Sequence, residues 1–415
     1  MNITQFVTLA FLFVITLVNY IKYRDALYPP VLQGALWFIV TFIFILDQHS
    51  FIPVSDSLYF IIVSGVIIFS MGSYIASSGC RISKKQINDS ELSYNKKVVE
   101  LFFWISLLGL PVYIYKAYMF GSEGIYDSFF MNLRDITSAT DNSMSLNFGI
   151  FMYFLPVSFI STWMLTLTSS TRREKTKLYV SFLISLMYAF LTMGRAVIML
   201  LVITMLGILL ITRRISPIKA ATSFGLIGAF MFILIGALLA KGIDAEQNLA
   251  ANAISMWESF RVYLLGALPA FDVYTRQDIH GAYGENVFRT IFVIINKFYP
   301  EVTFPRLIRE FVLVPFSTNV YTIYQPYYND FSFYGVFGIQ FVVGLWHGYL
   351  YKKATSHDSY FIMLYAVFLF PLFMQFFQDQ YMSLLSLWIQ LCVGLFVCNY
   401  KIQISRTINV TPNVS

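Results

Sequence analysis

Residues 190–202, "FLTMGRAVIMLLV", set an arginine inside a mostly apolar run that extends over 178–211. How that run divides decides the architecture. As one helix it would be about 50 Å long at 1.5 Å per residue. It would then hold a charge near mid-bilayer at a cost of roughly 2.5 to 3.5 kcal/mol on insertion scales. As two short spans turning at Gly194 and Arg195, it places the guanidinium at a membrane face.

Charge in the connecting segments favours the turn. The chain has 415 residues, 58% hydrophobic and 12% charged, with a mean hydropathy of +0.67. A soluble core could not absorb that much apolar surface, so the composition reads as a polytopic membrane protein. The net charge of +6 is not a nucleic-acid signature, because the basic residues cluster in short connections between apolar runs. "KYRDALYPP" holds two Lys/Arg, "SSGCRISKKQINDSELSYNKK" five, "STRREKTK" four, "TRRISPIK" three, "KKATSHD" two and the C-terminal tail two, while "DQHSFIPVSDS" and "QDQ" hold none. Basic and bare connections alternate only if 178–211 is two spans. The basic set is then cytoplasmic, the N-terminus periplasmic and the C-terminus cytoplasmic.

The expected fold is all-α and polytopic. Spans of about 20 apolar residues fall near 3–21, 31–46, 58–76, 98–118, 147–169, 176–193, 196–212, 220–240, 332–351, 359–377 and 383–399, eleven in all. The first lacks a basic stretch before it and a small-residue cleavage pattern after it, and reads as a retained span. Residues 1–240 thus comprise eight spans with a periplasmic loop at 119–146. Residues 241–331 form a large periplasmic loop, and 332–415 hold three spans and a cytoplasmic tail. Within the large loop, "ANAISMWESFRVYLLGAL" and "ENVFRTIFVIINKFY" carry apolar residues at helical spacing beside charges, as amphipathic helices do. Cys80, Cys392 and Cys398 have no partners at metal spacing, so neither a disulfide framework nor a zinc site is expected.

The outer segments are rich in arginine: Arg134 in the first, and Arg261, Arg276, Arg289, Arg306 and Arg309 in the second. A guanidinium with five donors suits phosphate. Simpler roles compete: Arg289 and Lys297 suit lipid headgroups, Arg261 could pair with Glu258 three residues before it, and Arg306 and Arg309 in "FPRLIREF" share one face if helical. His280 and Asp278 in "TRQDIHGAYGEN", with Glu258, are candidate bases. Asp244 and Glu246 read as well as helix capping as they do as a metal pair, and no metal is expected. Residues 317–353 carry seven tyrosines, which suit a membrane interface or the faces of sugars.

Residues 190–202 resemble the Gly-Arg turn between two spans of bacterial oligosaccharide repeat unit polymerases, the Wzy-type O-antigen polymerases. Many of those carry a second glycine ahead of the Gly-Arg, where this chain has Met193. "NVYTIYQPYYNDFSFYGVFG" is similar to the family's stretch leading into its next span, here with Asn319, Pro326, Tyr327, Asp330, Gly335 and Gly338. The resemblance implies a metal-independent glycosyltransferase without a cofactor in the bacterial inner membrane, working at the periplasmic face. It would move a growing glycan from undecaprenyl pyrophosphate onto a new lipid-linked oligosaccharide repeat unit. Under that reading Arg195, Arg261, Arg276 and Arg289 are the expected pyrophosphate ligands, and His280 or Asp278 the base. Tyr321, Tyr324, Tyr327, Tyr328 and Asp330 are the expected sugar contacts. Membrane lipid, a chain-length regulator and a flippase of the same pathway are the implied partners. The rival readings are an O-antigen ligase, which shares the leaving group, and a lipid-linked oligosaccharide flippase. Transporters tend to show internal repeats and short loops on both sides, and this chain has a 91-residue outer loop over 241–331.

Overall fold

The computed structural model describes residues 2–77, 94–138, 148–238, 249–277, 283–306, 309–356 and 358–400. Among these, each of the eleven apolar runs coincides with a helix: α1 (Ile3–Tyr23), α2 (Pro29–Leu46), α3 (Asp56–Ser77), α4 (Lys96–Ser122), α6 (Phe154–Thr168), α7 (Arg172–Leu191), α8 (Arg195–Ile211), α9 (Pro217–Leu238), α13 (Tyr324–Ala354), α14 (Ser359–Phe373) and α15 (Leu385–Asn399). Six segments, Ile3–Tyr23, Pro29–Leu46, Asp56–Ser77, Lys96–Ser122, Gly149–Thr168 and Ser359–Phe376, are long and apolar enough to cross a membrane. The protein is a multi-pass helical membrane protein. A further helix, α5 (Phe129–Ser138), lies in the first long connection. The second carries α10 (Leu249–Leu265), α11 (Ala267–Arg276), α12 (Arg289–Asn296) and a small antiparallel hairpin of β1 (Val312–Leu313) and β2 (Ser317–Thr318).

The run 178–211 is a hairpin. α7 starts on a capping box, with the Thr171 hydroxyl accepting from the Glu174 N–H and the Glu174 carboxylate from the Thr171 N–H; this satisfies two donors that a helix start leaves open. It stops at Thr192, whose hydroxyl accepts from the Gly194 N–H at 3.2 Å. Met193 sits there with φ +52°, a left-handed conformation that costs an L-residue roughly 1–2 kcal/mol and glycine nothing. Its side chain is buried, which offsets that strain and lets a methionine stand where a glycine would otherwise be favoured.

The contacts sort the connections onto two ends of the bundle. At the basic end, Arg213 pairs with Asp25 at 3.5 Å and Lys96 with Glu174 at 3.4 Å. Arg214 there donates to the carbonyls of Thr166 and Leu167, both at 2.8 Å. At the loop end, Arg134 of α5 donates to the Met193 carbonyl, Arg261 of α10 meets Asp47, and Asp272 of α11 meets Ser55.

The tightest seam joins α3 to α13. Gly72 faces the Phe341 carbonyl, Gly344 the Phe69 carbonyl and Gly348 the Ser73 carbonyl, each so closely that an added Cβ would overlap the facing oxygen. The Ser73 hydroxyl donates to the Gly344 carbonyl at 2.9 Å. Where apolar lipid removes the hydrophobic drive for helix association, such small-residue faces gain contact by letting backbones approach.

Two departures from uniform spans shape the loop end. α13 breaks at Phe331 (φ −141°, ψ 15°) and Ser332 (φ +54°, ψ −146°), which separates a short leading helix from the long one. The connection between α14 and α15 is not a simple outer turn. Each of those helices has 15 residues, or about 22 Å, against roughly 30 Å of hydrocarbon. Within the connection Met374, Gln375, Phe377, Asp379, Gln380 and Tyr381 are all buried. The Tyr381 hydroxyl meets His347 Nε2 at 2.8 Å, although His347 lies fourteen residues beyond Phe333, about 21 Å down α13. The segment is therefore sunk into the bundle. Irregular backbone at that depth persists only where protein satisfies it. Here Ile323 N–H donates to the Gln375 carbonyl at 2.8 Å, Trp388 Nε1 to the Gln380 carbonyl at 2.8 Å, and Gln33 Nε2 to Gln375 Oε1 at 2.9 Å.

Candidate functional site at the loop end

Arg195 opens α8, directly after the Met193–Gly194 turn. Its guanidinium lies over the Tyr263 ring of α10, 5.1 Å from the centroid, and Arg134 sits close enough for the two charges to repel. Tyr263 in turn packs on Phe377 with centroids 4.4 Å apart. The arginine of the opening stretch thus stands at the loop end of the bundle, against one side of the sunken segment.

The other side of that segment forms a narrow polar cleft lined by Arg309, Asn319, Tyr321, Thr322, Gln325, Pro326, Gln378, Asp379 and Ser383. Arg309 makes no hydrogen bond among the described residues. Burial pulls its pKa down, while the fields of Tyr274, Asp330 and Asp379 push it back up. Neither carboxylate offers it a free oxygen. Asp379 accepts from the Tyr327 hydroxyl at 2.8 Å, from the N–H groups of Tyr381 at 2.9 Å and Ser383 at 3.1 Å, and from the Ser383 hydroxyl at 3.2 Å. Asp330 accepts from the Asn286 N–H at 2.9 Å, Asn286 Nδ2 at 2.6 Å and the Val287 N–H at 2.8 Å. Both acids act as clamps: Asp379 shapes the sunken segment and Asp330 ties the 284–288 turn to the start of α13. What results is a guanidinium in a partly desolvated cleft whose donor fork is taken up by no group among the described residues, an arrangement that attracts a phosphate oxygen strongly.

The remaining expected arginines differ from one another. Arg261 forms a bidentate pair with Asp47, Nε to Oδ2 at 2.8 Å and an Nη to Oδ1 at 2.9 Å. Asp47, and not Glu258, is its partner; an exposed pair at that helical spacing offers only about 0.2–0.5 kcal/mol, and a two-pronged charged contact outweighs it. Arg276 donates to Asp272 and to the Pro53 carbonyl, and Asp272 also accepts from Ser55 N–H at 3.1 Å. These two pairs fasten α10 and α11 to the ends of α2 and α3. Arg289 is buried, its Nε donating to the Pro305 carbonyl at 2.8 Å and its guanidinium 5.3 Å from the Phe304 centroid. It lies near enough to Arg309 to depress that residue's pKa further.

The fastening role of Arg261 has a direct check. Arg261→Ala should lower the thermal stability of the detergent-solubilised protein by an amount corresponding to about 1.5–3 kcal/mol. Reversing both charges, Asp47→Arg with Arg261→Asp, should recover part of it together with chain formation in cells. A reversed pair that is stable yet inactive would instead make Arg261 a ligand group.

Tyr321 lines the cleft, its hydroxyl donating to the Glu310 carbonyl at 3.0 Å. Tyr327 is buried behind it on Asp379. Tyr324 is buried and stacked on Trp37 at 5.2 Å, and Tyr328 is half-buried, edge-on to Phe271. Asp278 and His280, like Asp244 and Glu246, lie outside the described residues. The described residues flanking 307–308 are not helical, so Arg306 and Arg309 do not share a helical face: Arg306 is exposed and Arg309 faces the cleft. The "QDQ" connection looked bare when read for basic residues alone, yet it supplies Asp379.

No protein-family model matches the chain, and no solved structure does. Two curated proteins do. One is an O-antigen polymerase of Shigella dysenteriae, 24% identical over 370 residues, covering 89% of this chain and 84% of that protein. The other is a putative O-antigen polymerase of Escherichia coli K12, 23% identical over 396 residues, covering 92% of this chain and 95% of that one. The likeness to Wzy-type O-antigen polymerases carried by the Gly-Arg turn and the stretch that leads into and opens α13 therefore runs along nearly the whole chain.

Proposed function

We propose that this protein is an O-antigen polymerase, a glycosyltransferase whose two substrates are both lipid-linked oligosaccharides. The observation that carries the reading is similarity to two O-antigen polymerases over about nine-tenths of the chain. Neither the ligase nor the flippase reading has a matching relative behind it. In this reading all eleven helices span the inner membrane and the loop end is periplasmic.

The reaction joins a hydroxyl of the new repeat unit to the anomeric carbon of the growing glycan. The bond from that carbon to the pyrophosphate oxygen breaks, its electron pair leaves with undecaprenyl pyrophosphate, and the hydroxyl proton passes to a base. Charge therefore grows on the leaving oxygen. Fixed guanidiniums in a partly dry site lower the barrier by meeting that charge without reorganising, so the transfer needs no metal. Arg195, Arg289 and Arg309 are assigned to the two pyrophosphates, whereas Arg261 and Arg276 hold the loop helices that present them. His280 or Asp278 is assigned as the base; the stretch bearing them runs between Arg276 and the turn that Asp330 clamps. Tyr321 is assigned to sugar contact beside Arg309. Tyr327 and Asp330 hold the wall behind it, and Tyr324 and Tyr328 complete the aromatic surround.

Deleting the gene tests the reading. Lipopolysaccharide capped by a single repeat unit is expected; bare core would point to a flippase or ligase. For the turn arginine, Arg195→Ala should shorten O-antigen at unchanged protein level, and a full-length ladder would remove Arg195 from the site.

A further inference from the structure

The basic end of the bundle carries a second cleft, far from the one around Arg309. It opens between α4, α6 and α7 with a volume of about 410 Å³. Val99, Trp104 and Leu165 wall it, and Lys96, Arg173 and Lys177 stand at its rim. Over residues 95–100 and 170–177 there are six basic side chains and two carboxylates. The Glu174 carboxylate belongs to the capping box of α7 and meets Lys96 only at 3.4 Å, and Glu100 meets Lys177 at 3.3 Å. Arg173 is exposed and makes no hydrogen bond or ion pair among the described residues. Partly exposed ion pairs of this kind contribute little to stability.

The mouth of the cleft continues into apolar surface along α4, where Trp104 forms an exposed stripe with Leu101 and Leu108. A soluble anion would use the charged rim without the adjoining stripe. A phospholipid uses both, with its phosphate at the rim and an acyl chain along the stripe.

We propose that this cleft is a binding site for an anionic phospholipid, whose headgroup phosphate sits among Lys96, Arg173 and Lys177 and whose acyl chain lies against Trp104. The site is independent of the loop-end chemistry and stands whether or not that chemistry is polymerisation.

Trp104 supplies the readout. The full-length protein and its Trp104→Phe variant are reconstituted into phosphatidylcholine vesicles holding a minor fraction of phosphatidylglycerol, with one lipid or the other brominated. The emission lost between the two proteins belongs to Trp104. At equal mole fraction, brominated phosphatidylglycerol should quench that component on the order of tenfold more effectively than brominated phosphatidylcholine. Neutralising the rim with Lys96→Gln, Arg173→Gln and Lys177→Gln should erase the preference, whereas Lys97→Gln with Arg172→Gln should leave it intact. All these side chains are at the surface, and gel filtration verifies that each variant remains folded. Equal quenching by both lipids overturns the proposal, as does a preference that survives the triple substitution. Loss of the preference on adding inorganic phosphate overturns it too, since the rim would then serve a soluble anion.

Discussion

Arg309→Ala is expected to reduce O-antigen to single repeat units or very short chains, with the protein still present at normal levels in the membrane. Arg309 is the guanidinium at the polar cleft whose donors no group among the described residues takes up, and the carboxylates whose fields reach it, Asp330 and Asp379, are engaged by other groups. Removing a preorganised donor from a site of developing negative charge typically costs about 10² to 10³ in rate. Chain length depends on many successive transfers, so a loss of that size should collapse the ladder. Arg309→Lys should rescue poorly, because an ammonium is a point charge and cannot present two parallel N–H bonds to a phosphate. The measurements are a lipopolysaccharide gel and an immunoblot of the same membranes. A normal ladder from Arg309→Ala would rule the cleft out as the pyrophosphate site. Asp379→Asn makes a useful companion: both carboxylate oxygens accept from backbone N–H groups, which an amide NH2 would oppose, so the sunken segment should shift and transfer should weaken through geometry.

Placing bulk in the α3–α13 seam should have the largest effect on stability. Gly344 and Gly348 meet the carbonyls of Phe69 and Ser73 with no room for a Cβ. The obstacle is backbone on a neighbouring helix, which cannot swing aside as a side-chain tip would. Overpacking of a single position typically costs 1–3 kcal/mol, occasionally more, against a total stability on the order of 5–15 kcal/mol. Gly344→Leu with Gly348→Leu should therefore strip the protein from the membrane fraction or leave it aggregating in mild detergent. Either substitution alone should lower the midpoint of thermal aggregation. If the double variant behaved like the native protein by fluorescence-detected gel filtration, the close packing of these two helices would be wrong. Gly338 has nothing within reach of an added Cβ, so Gly338→Ala serves as the tolerant control on the same helix.

The position of every apolar helix was legible in the sequence because the signals are local. Hydrophobic run length marks a span, and alternating Lys and Arg mark the connections. The split of 178–211 at Gly194 came from the same charge count, and the Thr171–Glu174 pair at the start of α7 matches a pattern a few residues long. Even the Gly344–Gly348 spacing stands in the chain. Its partner Gly72 does not announce itself, since nothing in the local sequence says which helix will press against which.

Only the tertiary structure decided how the outer arginines differ. By residue type and loop they were alike, but a guanidinium's chemistry depends on what lies within a few ångströms of it. Arg261 meets Asp47 across 214 positions of chain, and Arg276 reaches the Pro53 carbonyl ahead of α3, so both fasten helices. Arg309 comes to rest beside a segment it could not be matched to by any periodicity. In that segment "QDQ" (378–380) read as a short outer connection between spans ending at 377 and starting at 383, because it contains no Lys or Arg and charge counting weighs only basic residues. The segment's descent into the bundle follows from a backbone hydrogen bond to Ile323 and from contacts with Trp388, Gln33 and His347, on three different helices or their approaches. Span count and charge alternation are properties of short stretches and survive in one dimension. The choice of which charge remains available for a substrate is made by long-range pairing, and exists only once the chain has folded.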